Sequence, residues 1–528
     1  MTTTTGTSGL LRFMLRRERV GLPWWLLGAT LLVLVQSAQS QDLYGSPEAL
    51  ARLRQTIGSN TAVIAMSGPT RLLESIGGEV VFEIFAFVAI VVALMSMFLV
   101  GRHTRAEEET GRAELIRSAR VGRQAPLAAA LALAGQANLA VGALVFAVAA
   151  GTGLPVGGSA LFGAAITAVG ITFAAFTAVA AQVFSNARAV YGAVGAVLGA
   201  AYVLRAAGDV GSDALSWASP IGWGQRTFPY TGDRWWALLL PLGASALLVT
   251  AAVAMQRRRD FGAGLVPTRP GRARAGRSLR NAYALAWRLQ RGSLAGWAVG
   301  LGLLGVAYGS IADSIEQYIQ DNPQVAEFLP GGAADVVDAY LALTVSMSAL
   351  IATAYGVTST LRIRAEEVSG LAEPVLATAT SRLTWLAGHL SVTLTGSALC
   401  LLAFGLGEGT AYGLTVSDAG QVPRLTGVAL TYLPAVWLII ALVVLALGWA
   451  PRPSAALGWV AVGYCAVVTL FADSFELPGW VQRASPFAHT PQVPLADLAL
   501  TPLMVIILLA AVAIGAGYAG LRRRDVGY

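Results

Sequence analysis

Apolar runs long enough to cross a membrane recur along the whole chain. They lie at about 22–40, 80–100, 125–150, 157–184, 188–206, 235–255, 293–311, 338–360, 384–406, 425–449, 454–472 and 500–520. A spanning helix needs roughly 20 such residues, so the pattern predicts twelve transmembrane helices in an all-α polytopic membrane protein. The polar stretches between the runs are too short for a water-soluble domain of ordinary size. Two of them, 101–123 and 361–382, are densely charged, and each joins one long apolar run to the next.

These two stretches are copies. Arg105-Ala106-Glu107-Glu108-x-x-Gly111-x-Ala113-Glu114 returns as Arg364-Ala365-Glu366-Glu367-x-x-Gly370-x-Ala372-Glu373, 259 residues on. Further pairs extend the repeat to the ends of both halves. Arg16, Arg19, Trp25 and Gly28 match Arg288, Arg291, Trp297 and Gly300; Ala218-Ser219-Pro220 matches Ala484-Ser485-Pro486. Arg257-Arg258-Arg259-Asp260-x-Gly262 matches Arg522-Arg523-Arg524-Asp525-x-Gly527. Six spans per half keep both halves in one orientation, so a pseudo-two-fold axis along the membrane normal is expected. The halves are read as 1–255 and 292–528, joined by a basic linker with an interfacial helix at 256–291. Each half opens with a basic amphipathic stretch; in the first, Arg12, Arg16 and Arg19 share a helical face suited to the interface. The start of the chain mimics a signal peptide, but its apolar run is the counterpart of the seventh, so it is expected to be retained.

Composition sharpens this picture. Mean hydropathy is +0.64, and charged residues make up 12%, about half the usual share for soluble domains. All 36 basic residues are arginine. A phosphate-binding loop of the Walker type needs a lysine, so the chain has no such ATPase site. The two cysteines sit in apolar runs and the three histidines are scattered, which suggests neither a disulfide nor a metal site. With the N-terminus inside, 28 of the 36 arginines fall on the cytoplasmic side. The positive-inside rule therefore puts both termini in the cytoplasm. The arginine-rich linker suits an anionic lipid surface, and no nucleic-acid partner is expected.

Ala, Glu, Arg and Leu dominate 101–123 and 361–382, which favours helix. Gly111 and Gly370 should divide each segment into a short helix, a turn and a second helix. Thr104 and Glu107 have capping-box spacing, and Glu108–Arg112 and Glu114–Arg117 are spaced to pair on a helix surface. A solvated positive-inside loop would explain the arginines but not the repeated glutamates. A docking element explains both.

Taken together, the Arg-Ala-Glu-Glu segments with their glycines, the Ala-Ser-Pro motifs and the Arg-Arg-Arg-Asp-x-Gly half-ends resemble permeases of the ABC-2 type. The resemblance covers the whole chain and is greatest to the fused, two-half actinobacterial group of multidrug and polyketide-antibiotic exporters. It implies a type V exporter-like fold and a non-catalytic permease working with a separate ABC ATPase, used twice, which binds ATP and Mg. It also implies that 101–123 and 361–382 are coupling segments. Their expected contact residues are Arg105, Glu107, Glu108, Gly111, Glu114, Arg364, Glu366, Glu367, Gly370 and Glu373.

A small lipophilic substrate would pass between the halves. Glu79 and Glu83, one turn apart on the second helix, and Asp335 and Asp338 in the second half are candidates for its pathway, since acids near a membrane pathway are rare and costly. Gly192, Gly195, Gly199, Gly296 and Gly300 are expected to pack helices, and Gln136, Asn138, Thr393 and Thr395 to bond between them. Two alternatives stay open: a proton-coupled secondary drug transporter, and an ABC permease that moves lipid. A secondary carrier of the major facilitator type would show an Asp-Arg loop motif after its second helix, where Gly101-Arg102-His103-Thr104-Arg105 stands instead. It would also want a mid-membrane carboxylate, and none stands out.

Overall fold

A computed structural model of the chain describes residues 3–57, 61–266, 281–321, 336–471, 477–494 and 496–524, together with Arg274, Gly276 and Leu279. The chain divides into two compact units, Met1–Gly271 and Arg272–Tyr528. Among the described residues every regular element is helical, as expected where no water is present to satisfy backbone groups.

The first unit begins with a separate surface helix, α1 (Thr7–Glu18), followed by α2 (Gly21–Tyr44). Short helices at Pro47–Ile57 and Thr61–Ser67 and a 3-10 turn at Thr70–Glu74 lead to α3 (Ile76–His103). The charged segment follows as α4 (Arg105–Glu109) and α5 (Arg112–Arg117). Four long helices complete the unit: α6 (Ala125–Gly151), α7 (Val156–Val183), α8 (Ala187–Val210) and α9 (Leu239–Arg258). Before α9, Asp213–Trp217 and Pro220–Gln225 fold as short helices, where the Trp and Pro residues suggest interfacial structure. The core is built on α3 and α7, around Phe82, Phe85, Phe162 and Phe173.

The second unit opens differently. Its counterparts of α1 and α2 form one unbroken helix, α10 (Ala282–Asp321). Among the described residues, a helix separate from the first long one therefore opens only the first unit. Next come α11 (Val336–Val368), the short α12 (Glu373–Leu376) and α13 (Arg382–Thr415). The unit ends with α14 (Gln421–Leu430), α15 (Leu433–Trp449), α16 (Ser454–Phe471) and α17 (Leu500–Arg523). Its core gathers Tyr355, Trp385, Phe404 and Tyr432.

Eleven stretches of helix among the described residues are long and apolar enough to cross a membrane. The run at 454–472, expected to be a twelfth, forms α16 as far as Phe471, where the described residues end. The anticipated glycine packing also moves. No atom lies within 4 Å of where a Cβ would stand on Gly192, Gly195, Gly199, Gly296 or Gly300. Close approach occurs instead where α10 meets α13: a Cβ on Gly305 would stand 2.2 Å from Phe404 O, and one on Gly309 2.2 Å from Glu408 O.

Candidate functional site

The repeated charged segments come to the same kind of anchorage in both units. In the first, α3 ends at His103 and the chain turns into α4, carrying Arg105 into the interior with no exposed surface. Its Nε donates to Ala181 O at the end of α7 (3.1 Å) and its Nη1 to Glu108 Oε2 (2.8 Å). Arg259, just beyond α9, grips the same carboxylate with both prongs. Its Nη2 donates to Oε1 at 2.6 Å and its Nη1 to Oε2 at 2.9 Å. Its Nε donates to Gln182 Oε1 (2.7 Å). Arg123 Nη2 then donates to the Arg259 carbonyl (2.8 Å). Paired ionic hydrogen bonds of this kind are strong and fix orientation.

In the second unit Arg364 Nη1 donates to Glu367 Oε2 (3.2 Å), and Arg524 Nη2 to Glu367 Oε1 (2.6 Å). Arg524 Nε donates to Leu447 O at the end of α15 (3.1 Å), and Arg382 Nη1 to the Arg524 carbonyl (2.7 Å). Each unit thus ties its charged segment to the ends of two long helices through one glutamate and the terminal arginine of its last helix. The half-end motif and the Arg-Ala-Glu-Glu motif are two parts of one clamp. Asp525 and Gly527 of that motif lie outside the described residues.

The neighbouring glutamates differ between the units. Glu107 pairs with Arg17 of α1. Glu366 pairs with Arg362 (2.9 Å) and with His389 Nε2 of α13 (3.2 Å). In the first unit Glu18, buried on α1, accepts from Arg102 (2.9 Å) and meets His103 Nε2 at 2.9 Å. At the matching place in the second stands Gln290, 3.1 Å from His389 Nδ1.

Four of the expected contact glutamates therefore face inward: Glu107, Glu366 and Glu367 are buried and Glu108 is nearly so. Gly111 and Gly370 form the turns with φ of 74° and 71°, a left-handed conformation natural to glycine. Around the turns the surface opens. Arg112, Glu114 and Glu373 are exposed, and so are Leu115 (76%), Val368 (70%) and Leu371 (63%). Two local expectations give way to long-range bonds. Thr104 makes no capping bond and donates to Val100 O instead (2.6 Å). Glu108 is held by Arg105 and Arg259, with no ion pair to Arg112. The Arg117 side chain is outside the described residues.

Comparison with known proteins finds sequence matches along the whole chain. The multidrug efflux system permease protein Rv1217c of Mycobacterium tuberculosis (strain ATCC 25618 / H37Rv) is 42% identical over 526 residues, spanning 99% of this chain and 95% of that protein. A family model described as the C-terminal domain of multidrug efflux system permease Rv1217c matches residues 279–522. The chain belongs to the ABC-2-type multidrug efflux permease family.

In this permease the acids proposed for the substrate pathway are scattered. Glu79 is buried in the first turn of α3, and its Oε2 has no hydrogen-bond partner among the described residues. Glu83 is half-buried one turn later. Asp338 of α11 is held by Arg424 of α14 at 2.8 Å, and Asp335 lies outside the described residues. Polar bonding between helices is realised at Asn138, whose Nδ2 donates to Ser96 Oγ (2.8 Å), and at Thr393, 2.7 Å from Ser359 Oγ. Thr395 bonds only within its own helix.

One residue was missed. Glu408 of α13 is wholly buried. Thr344 Oγ1 donates to its Oε1 (2.6 Å), while Oε2 has no hydrogen-bond partner among the described residues. Its sequence signal was an acid between two glycines at the end of an apolar run.

Proposed function

We propose that this permease is the membrane subunit of an ATP-driven exporter of lipophilic drugs. A separate ATPase, present twice, supplies ATP and Mg chemistry and docks on the segments 101–123 and 361–382. In this reading the chain carries twelve spans in two parallel six-helix repeats, has both termini in the cytoplasm, and works by alternating access between its halves. The observation that carries the reading is the duplicated clamp. Two charged segments in separate units are anchored by equivalent arginines, and each leaves an apolar and acidic tip in solvent. A loop that only marked topology would need neither the anchorage nor the exposed leucines. The named efflux role of the relative supports drug export.

Contact with the ATPase then falls to the tips, Leu115 and Glu114 in the first segment and Val368, Leu371 and Glu373 in the second. Arg105, Glu107, Glu108, Arg364, Glu366 and Glu367 hold the segments in place, and Gly111 and Gly370 shape the turns. Affinity purification of the tagged permease from its native membrane, followed by mass spectrometry, tests this. A stoichiometric ATPase that is lost from a Leu115→Asp, Val368→Asp double variant is the expected result. Well-folded permease without any ATPase would overturn the reading.

Glu408 favours a second reading, proton-coupled secondary transport, because a buried membrane carboxyl is a natural proton carrier. ATP dependence of efflux in reconstituted vesicles separates the two.

A further inference from the structure

A cavity of about 270 Å³ lies in the first unit between α1 and the charged segment. One wall is apolar: Leu10, Phe13 and Met14 of α1, Ile116 of α5 and Leu127 of α6. The polar part of the lining belongs to the clamp and its neighbours, with Arg17, Glu107, Glu108, Arg123 and Arg259. Its volume falls just below the ~300–1,000 Å³ of pockets that hold drug-sized ligands, so it suits part of one slender apolar chain.

The polar wall has a cation in excess. Glu107 is matched by Arg17, and Glu108 is shared by Arg105 and Arg259. Arg123 donates only to the backbone carbonyls of Gln256 and Arg259 and meets no carboxylate among the described residues. Asp260, the remaining acid on the wall, is exposed. On the segments that line the cavity, exposed Arg12, Arg16, Arg112, Arg120, Arg257 and Arg258 outnumber the exposed acids Glu109, Glu114 and Asp260. A surface of this sign attracts anionic headgroups, and a basic amphipathic helix such as α1 lies where they are.

We infer that this cavity binds one acidic phospholipid, an acyl chain against α1 and its phosphate at Arg123, in the first unit alone. The second unit has no separate counterpart of α1. There Arg17 is replaced by Leu289 at the matching position, and Gln290, the counterpart of Glu18, lies within α10 and bonds directly to His389 and Ser359. A lipid in the cavity bridges α1 to the segment carrying Glu108, so it acts on one clamp and not on the other. The inference does not depend on an ATPase partner.

The test uses the full chain in mild detergent, titrated with dioleoylphosphatidylglycerol or dioleoylphosphatidylcholine and followed by native mass spectrometry and thermal unfolding. One tightly retained phosphatidylglycerol, with a raised unfolding temperature, is expected, and phosphatidylcholine should not reproduce it. Arg123→Gln, at an exposed side chain that leaves the core intact, should weaken binding about fivefold, the worth of one arginine near an anionic surface. Ala113→Trp, which fills the cavity, should abolish it, while Arg452→Gln in the second unit should leave it unchanged. Oleate should compete and glycerol 1-phosphate should not. Equal retention of both lipids, retention undiminished in Arg123→Gln and Ala113→Trp, or displacement by glycerol phosphate alone would overturn the assignment.

Discussion

Arg259 holds Glu108 by both carboxylate oxygens across 151 residues of sequence, at 2.6 and 2.9 Å. In the other unit Arg524 reaches Glu367 at 2.6 Å. These pairs are largely withdrawn from water, with side-chain exposures of 6% and 13% in the first and 15% and 0% in the second. Removing one partner of such a pair strands the other, at about 3–5 kcal/mol when fully buried. Because Arg105 and Arg364 stay beside their glutamates, Arg259→Met and Arg524→Met should sit at the lower end. Both should lower the unfolding temperature measurably. A double-mutant cycle with Glu108→Gln or Glu367→Gln should show strong coupling within each unit. Additive losses would show that the arginine and glutamate act separately.

The exposed tips should behave in the opposite way. Leu115→Ser, Val368→Ser and Leu371→Ser remove side chains that touch little, so stability should stay within about 0.5 kcal/mol. Drug efflux from cells should nevertheless fall at least several-fold. Unchanged drug accumulation in the triple variant would remove these residues from the working surface.

Gly111→Ala and Gly370→Ala place a side chain where φ is 74° and 71°. Substitution in that conformation costs on the order of 1 kcal/mol. Neither site has an atom within 4 Å of the new Cβ, so strain is the whole effect. Asparagine, which tolerates this conformation, should recover part of the loss when the alanine and asparagine variants are compared in one thermal series.

Gly309→Ala meets backbone at 2.2 Å, so α10 and α13 must separate locally, and about 1–3 kcal/mol is expected for such overpacking. At the same contact Glu408→Gln keeps the shape and an acceptor for Thr344. It should unfold near the parental temperature, whereas Glu408→Ala opens a void and should not. Efflux by Glu408→Gln is the further reading: retained transport fits an ATP-driven exporter, and lost transport at full stability fits a proton carrier.

The repeat made much of the site legible before its geometry was known. Arg105, Glu108 and Arg259, with Arg364, Glu367 and Arg524, were all picked out because they recur. Their mutual contact was not legible. Local spacing favours partners three or four residues away, such as Arg112 for Glu108, and says nothing of an arginine at the far end of another helix. For the same reason the glutamates were read as facing water, when the neighbouring helix ends turn them inward. Hydropathy passes over Glu408 because the apolar run stops at 406, whereas α13 continues to Thr415.

Gln182 and Leu447 occupy equivalent places, yet the Nε of Arg259 is received there by a side-chain oxygen and the Nε of Arg524 by a backbone carbonyl. Mutation can erase the first acceptor in a single step. It cannot erase the second, since every residue carries that carbonyl. The two halves of a duplicated chain have therefore inherited unequal freedom: the first can be loosened by drift at position 182, while the second keeps its grip through almost any change at 447.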